Sequence, residues 1–70
     1  MEPVERFADN MRKTRARRGL SQEALGQASG LHRTEISLLE RGEREPRLRT
    51  IVRVARALKV APADLLENVR

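Results

Sequence analysis

Arg33, Thr34, Glu35, Ser37 and Leu38 fall within the stretch LHRTEISLLERGEREP, Leu31 to Pro46, and together they could read a surface of donors, acceptors and methyl groups. Arg33 offers a planar fork of N–H donors. That fork fits the paired O6 and N7 acceptors of guanine or the oxygens of a phosphate, and solvation alone is the third way to place it. Thr34 brings a hydroxyl for a base edge and a methyl that packs on thymine; Ser37 is a weaker candidate of the same kind. Leu38 either presses on thymine methyls or is an exposed or partly buried leucine. Glu35 either accepts from cytosine N4 or keeps anions of the wrong sequence away. Arg41, Arg44 and Arg47 lie within seven residues, a density suited to the phosphates of a polyanion.

Other chemistries lack their parts. Catalysis would require a nucleophile with its base, paired carboxylates in a cleft, or metal ligands at usable spacing. The chain has one histidine, His32, no cysteine, no tyrosine and no glycine-rich phosphate loop, so neither enzyme activity nor a metal or other cofactor is expected. At 70 residues it has room for one small core, burying roughly 60% of the surface exposed by its unfolded form. Fifteen basic residues, thirteen of them Arg, stand against ten acidic ones, a net charge of +5 that favours a polyanionic partner. The absence of cysteine and of any long apolar run predicts a reducing, cytoplasmic setting with no membrane partner.

The spacing of apolar residues is helical throughout and predicts an all-α chain forming one domain, residues 1–70. Phe7, Met11 and Thr14 mark a first helix from about Pro3 to Arg18, with Gly19 as its left-handed stop. Ser21 is a good N-cap for a second helix that turns Leu25 and Ala28 inward and ends at Gly30. A third helix is expected from about Arg33 to Arg41, with His32 at its cap, Ile36 and Leu39 inward and Gly42 as terminator. The fourth, about Leu48 to Leu58, carries Leu48, Ile51, Val54, Ala55 and Leu58 on one stripe. Pro62 opens a last short helix, PADLLENV, that contributes Leu65 and Leu66.

The second and third helices are the informative pair. Joined by a turn that contains Gly30, they must cross steeply and bring their backbones together at one point. Gly26 is the small residue where that contact should fall; inside a helix it costs about 1 kcal/mol relative to Ala, and either close approach supplies the reason or the glycine is a neutral lapse on an exposed face. With one side of the third helix pinned by Ile36 and Leu39, the other side and the N-terminal turn are free for the major groove of DNA.

The stretch LSQEALGQASGLHRTEISLLERGEREPRLRTIVRVARALKVAPADLL resembles the helix-turn-helix domain of the Cro and phage-repressor class, often called the Xre family, from about Phe7 to Leu66. The likeness is carried by Gln22, a small residue at Gly26, the turn glycine Gly30, Ile36, and ERG followed by P-x-L-x-T. It implies a five-helix domain whose helix-turn-helix motif spans about residues 21–41 and binds double-stranded DNA as a two-fold dimer on a palindromic operator. It also implies that Gln22 and the positive end of the second helix meet a phosphate, with Ser21 and His32 beside them. Arg41, Arg44 and Arg47 would meet phosphates or reach a minor groove, and Arg15 and Glu40 would form a partly buried ion pair. Departures from the family pattern are Thr14 for Leu, Gly26 for Ala, Ala24 in place of the Glu of a capping box, and Arg47 and Ala61 at helix starts where Ser is usual.

Val52, Leu65, Leu66 and Val69 supply more apolar surface than one small core needs, or else they complete it; the first reading makes them the homodimer interface. The HRTEIS turn and short length are similar to restriction-modification controller proteins, and also fit phage and chromosomal repressors. The alternative is an antitoxin or other protein-interaction module on the same fold, with a toxin or RNA polymerase as protein partner. The setting expected on either reading is the bacterial cytoplasm, at the nucleoid.

Overall fold

The computed structural model describes residues 1–70 and contains five helices and no strand. Helix α1 (Pro3–Arg17) opens with Pro3 in its first turn, where a missing N–H costs nothing, while the Glu2 amide donates to Glu5 Oε1 at 2.9 Å. Phe7, Ala8 and Met11 form its buried face. Gly19, at a φ of +70°, turns the chain away from α1, a conformation in which a Cβ would be strained. Helix α2 (Gln22–Ser29) begins where Ser21 Oγ accepts the Ala24 amide at 3.0 Å and stops at Gly30.

Helix α3 (Arg33–Glu40) buries Ile36, Leu39 and Glu40, and helix α4 (Leu48–Leu58) buries Ile51, Val54, Ala55 and Leu58. Helix α5 (Pro62–Leu65) is a single turn whose Asp64 Oδ2 accepts the Ala61 amide at 3.0 Å. Helix α2 packs on α3 and α4, and α1 closes over α3 and α5. The resulting core is Phe7, Met11, Leu25, Ile36, Leu39, Ile51, Val54, Ala55, Leu58 and Leu65. Truncating one of its leucines to Ala would cost about 2 to 5 kcal/mol, lost transfer energy plus the residual cavity.

Four expectations from apolar spacing change. Ala28 is exposed; Ser29, one turn beyond Leu25, takes the inward position, and its hydroxyl donates back to the Gly26 carbonyl at 3.3 Å. Thr14 is only half-buried and donates its hydroxyl to the Asn10 carbonyl at 2.8 Å. Leu48 is 75% exposed: as the first residue of α4 its side chain leans past the helix end, where nothing covers it. The last helix ends at Leu65 instead of running through Val69, and Asn68 takes a left-handed φ of 62° in the turn that follows. No helix is long and apolar enough to cross a membrane.

Candidate nucleic-acid interface

A Cβ built on Gly26 would lie 2.7 Å from the Leu31 carbonyl oxygen and 3.5 Å from the Arg33 amide nitrogen. The turn therefore rests directly on α2, and the Leu31 amide bonds the Gly26 carbonyl at 3.0 Å from the other side. That close approach fixes where α3 starts. His32 caps it, its Nδ1 accepting the Thr34 amide at 3.0 Å.

The inner side of α3 is locked by charge as well as by packing. Arg15 Nε donates to Glu40 Oε2 at 2.6 Å and Arg15 Nη2 to Glu40 Oε1 at 2.9 Å, while Arg15 Nη1 bonds the Leu20 carbonyl at 2.7 Å. The Glu40 side chain is 2% exposed and that of Arg15 18%, so the pair is largely removed from water. The hydrogen bond to Glu40 raises the Arg15 pKa above its ordinary value, against the opposing effect of burial. Gln22 Nε2 joins the same carboxylate at Oε1, 3.1 Å away. The amide side chain at the head of α2 is thus tied to α1 and α3 together, an arrangement that sequence spacing did not suggest.

On the outer side, Gln22, Arg33, Thr34, Ser37 and Arg41 surround a shallow cavity of about 230 Å³. Arg33 and Thr34 are exposed and Ser37 is half-buried. Arg33 takes part in no ion pair, so its donor fork is free for a ligand. Arg41 is drawn back toward its own helix, its Nε 3.4 Å from the Ser37 carbonyl and 3.7 Å from Glu43 Oε2. Ser21 stands exposed at the α2 cap.

Glu35 and Leu38 belong to the other flank of α3. Leu38 is half-buried, and its carbonyl accepts the Glu43 amide at 3.0 Å. Glu35 Oε1 accepts from Arg44 Nη1 at 2.5 Å. A second cavity, of about 460 Å³, is lined by Glu35, Arg44, Glu45, Arg47 and Thr50, so Thr50, the last residue of the P-x-L-x-T pattern and part of the first turn of α4, lies beside the loop arginines. Of the three loop arginines, Arg47 alone has no carboxylate partner.

The apolar residues expected at a dimer interface separate. Leu65 is 0% exposed and belongs to the core, because the single turn of α5 points it at α1 and α4; it is not available to a partner. Leu66, 39% exposed, and the half-buried Val69 line a groove of about 410 Å³ with Pro3, Val4, Pro46 and Ile51. Val52 is half-buried and lies outside that groove.

The geometry is that of two short helices locked at a turn, the second presenting its first turn outward. The helix-turn-helix family profile matches residues 11–65. The chain is 44% identical over 66 residues to the control protein C.SmaI of Serratia marcescens, covering 94% of this chain and 79% of that one. It is 42% identical over 62 residues to the control protein C.BamHI of Bacillus amyloliquefaciens, covering 87% and 76% respectively. Among solved structures, the restriction-modification controller protein C.AhdI of Aeromonas hydrophila superposes with a TM-score of 0.87 at 39% identity, over 89% of this chain and 94% of that one. The chain belongs to the helix-turn-helix family of DNA-binding transcriptional regulators.

Proposed function

We propose that this protein is a regulator of the restriction-modification controller type. In this reading it binds a palindromic operator as a homodimer, with the first turn of α3 in the major groove of each half-site. The observation that carries it is the unpaired Arg33 beside Thr34 and Ser37 on the one side of α3 that the core and the Arg15–Glu40 pair leave free. The likeness to control proteins supports the regulatory type.

The division of labour follows from reach. Arg33 gives two bonds to a guanine, worth about 1 to 3 kcal/mol against a wrong base, and Thr34 and Ser37 add hydroxyl contacts along the same edge. Leu38 contributes only its exposed rim to thymine methyls. Gln22 keeps one amide N–H for a phosphate after bonding Glu40, at the end of α2 where the helix dipole is positive. Ser21, His32, Arg41 and Arg47 grip the backbone on either side, and Leu66 with Val69 meets the second subunit. Selection of bound sites from random duplex DNA tests the reading. Two inverted half-sites, centred about one helical turn or a multiple apart, are the expected result. Enrichment of no motif, or of one without two-fold symmetry, would overturn it.

A further inference from the structure

Glu35 sits on the helix proposed to read bases, and Arg44 sits on the loop proposed to hold phosphates; in the free protein they hold one another, Arg44 Nη1 to Glu35 Oε1 at 2.5 Å. The Glu35 side chain is 25% exposed and that of Arg44 51%. The bond uses one Nη of the guanidinium and cancels its charge locally. Beside it, Arg47, Thr50 and a second carboxylate, Glu45, line the same cavity, so the corner sets two guanidinium groups against two carboxylates and Glu35 is the one that holds Arg44. A DNA phosphate approaching that corner meets one guanidinium, Arg47, free and the other, Arg44, already engaged.

We propose that Glu35 is a specificity-determining residue that makes the phosphate grip of Arg44 conditional on the base facing α3. The proposal rests on the groove placement of α3 given under the proposed function. A carboxylate accepts hydrogen bonds and cannot donate them, so it gains a partner from the cytosine amino group and is repelled by guanine O6 and N7 or thymine O4. Opposite cytosine, Glu35 exchanges Arg44 for that amino group, and Arg44 turns to the backbone. Opposite an acceptor edge, Glu35 keeps Arg44 and the phosphate stays unbound. An exposed pair of this kind is worth little on its own account, so a single new hydrogen bond is enough to tip the exchange. Recognition of one base and neutralisation of one phosphate thereby become a single event in each subunit.

The test compares wild type, Glu35→Gln, Arg44→Ala and the double variant on the selected operator and on a scrambled duplex, titrated at several salt concentrations. Failure of the wild type to discriminate between the duplexes overturns the groove reading itself, whatever the variants do. With discrimination present, the wild-type salt slope should be steeper on the operator by about 0.9 for each phosphate acquired, hence about 1.8 for a dimer. Glu35→Gln should steepen the slope on scrambled DNA to the operator value and tighten that binding. In the Arg44→Ala background the same substitution should leave the slope unchanged, since no guanidinium remains to be released. Equal effects of Glu35→Gln in both backgrounds would report loss of a negative charge alone and overturn the proposal. So would an unchanged slope on scrambled DNA for a Glu35→Gln variant with the wild-type helical spectrum.

Discussion

Gly26 of α2 faces Leu31 of the turn so closely that a methyl group on Gly26 would stand 2.7 Å from the Leu31 carbonyl oxygen. The obstacle is backbone, which cannot swing aside like a side chain, so Gly26→Ala must push the start of α3 away from α2. Overpacking of this kind costs about 1 to 3 kcal/mol, whereas Ala gains about 1 kcal/mol over Gly in helix propensity. The clash wins, and the variant should be less stable by about 1 kcal/mol, a fall of roughly 4 to 8 °C in Tm for a chain of this size. Thermal unfolding checks it; a raised Tm would show that the turn yields without cost.

The same close approach shows what is legible in a sequence of this kind. Gly26, inside a helix, raises a question that its close approach to Leu31 answers, and Gly19, Gly30 and Gly42 all occupy left-handed backbone at element ends. Residues in mid-helix, such as Phe7 with Met11 and Ile36 with Leu39, announce their burial by spacing, since both neighbouring turns are present. Leu48, Leu65 and Leu66 do not, because burial at a helix end depends on which distant element happens to cover it. Glu35 with Arg44, nine residues apart across a loop, and Gln22 with Glu40, eighteen apart across the motif, depend on how the loop and the two helices settle. The candidate readers were visible from residue type alone; their division between two flanks of α3 was not.

Arg15 and Glu40 supply the next expectation. Arg15→Ala would leave the Glu40 carboxylate, whose side chain is 2% exposed, with Gln22 as its remaining side-chain donor, and would strip the Leu20 carbonyl of its bond. Loss of one partner of a buried pair costs about 3 to 5 kcal/mol. Glu40→Gln, which removes the buried charge and keeps the shape, should cost less. Denaturant unfolding of the two variants measures both, and an Arg15→Ala variant with wild-type stability would contradict the assignment.

Asp9 contributes to the acid limb of stability. Its carboxylate bonds Lys13 Nζ at 2.9 Å and Arg12 Nη2 beside it. The Lys13 hydrogen bond is the chief cause that lowers its pKa, opposed by desolvation and reinforced by the charges of Lys13, Arg12 and Arg6. A carboxylate with a lowered folded pKa contributes stability that is complete above the unfolded value and is lost as pH falls through the folded one. Asp9→Asn should therefore have a lower Tm than wild type at neutral pH, and the gap should close from about pH 4 downward. A gap that persists undiminished into strong acid would place the effect in packing instead of charge.

Leu66 is the residue on which dimerisation should turn. It is 39% exposed beside Val69, Val4 and Pro3, in the groove assigned to the second copy in the proposed dimer, while the neighbouring Leu65 is wholly buried. Leu66→Glu places a charge in that groove without touching the core, so the monomer should stay folded while association weakens by at least tenfold, about 1.4 kcal/mol. Sedimentation of wild type and variant over a range of concentrations, with and without operator, checks this. A wild type that remains monomeric on DNA at high concentration would remove the interface altogether.

Arg33 and Arg47 are the pair on which the proposed reading and gripping roles can be told apart. Both guanidinium groups are exposed and free of ion pairs, but they stand in different places: Arg33 in the first turn of α3, beside Thr34 and Ser37, and Arg47 at the uncapped start of α4. If α3 enters the groove as proposed, a residue on its first turn can reach a base edge, whereas one on the loop side reaches only backbone or a narrow minor groove. Arg33→Ala should lose about 1 to 3 kcal/mol per half-site on the operator and little on scrambled DNA, collapsing the preference at one position of each half-site. Arg47→Ala should weaken both duplexes alike and flatten the salt slope by about one unit for each phosphate no longer neutralised, twice over in a dimer. Titrations of the two variants on both duplexes at several salt concentrations distinguish the roles. Equal weakening of operator and scrambled DNA by Arg33→Ala would move Arg33 from the reading side of α3 to the gripping one, and leave Thr34 and Ser37 as the residues that carry sequence.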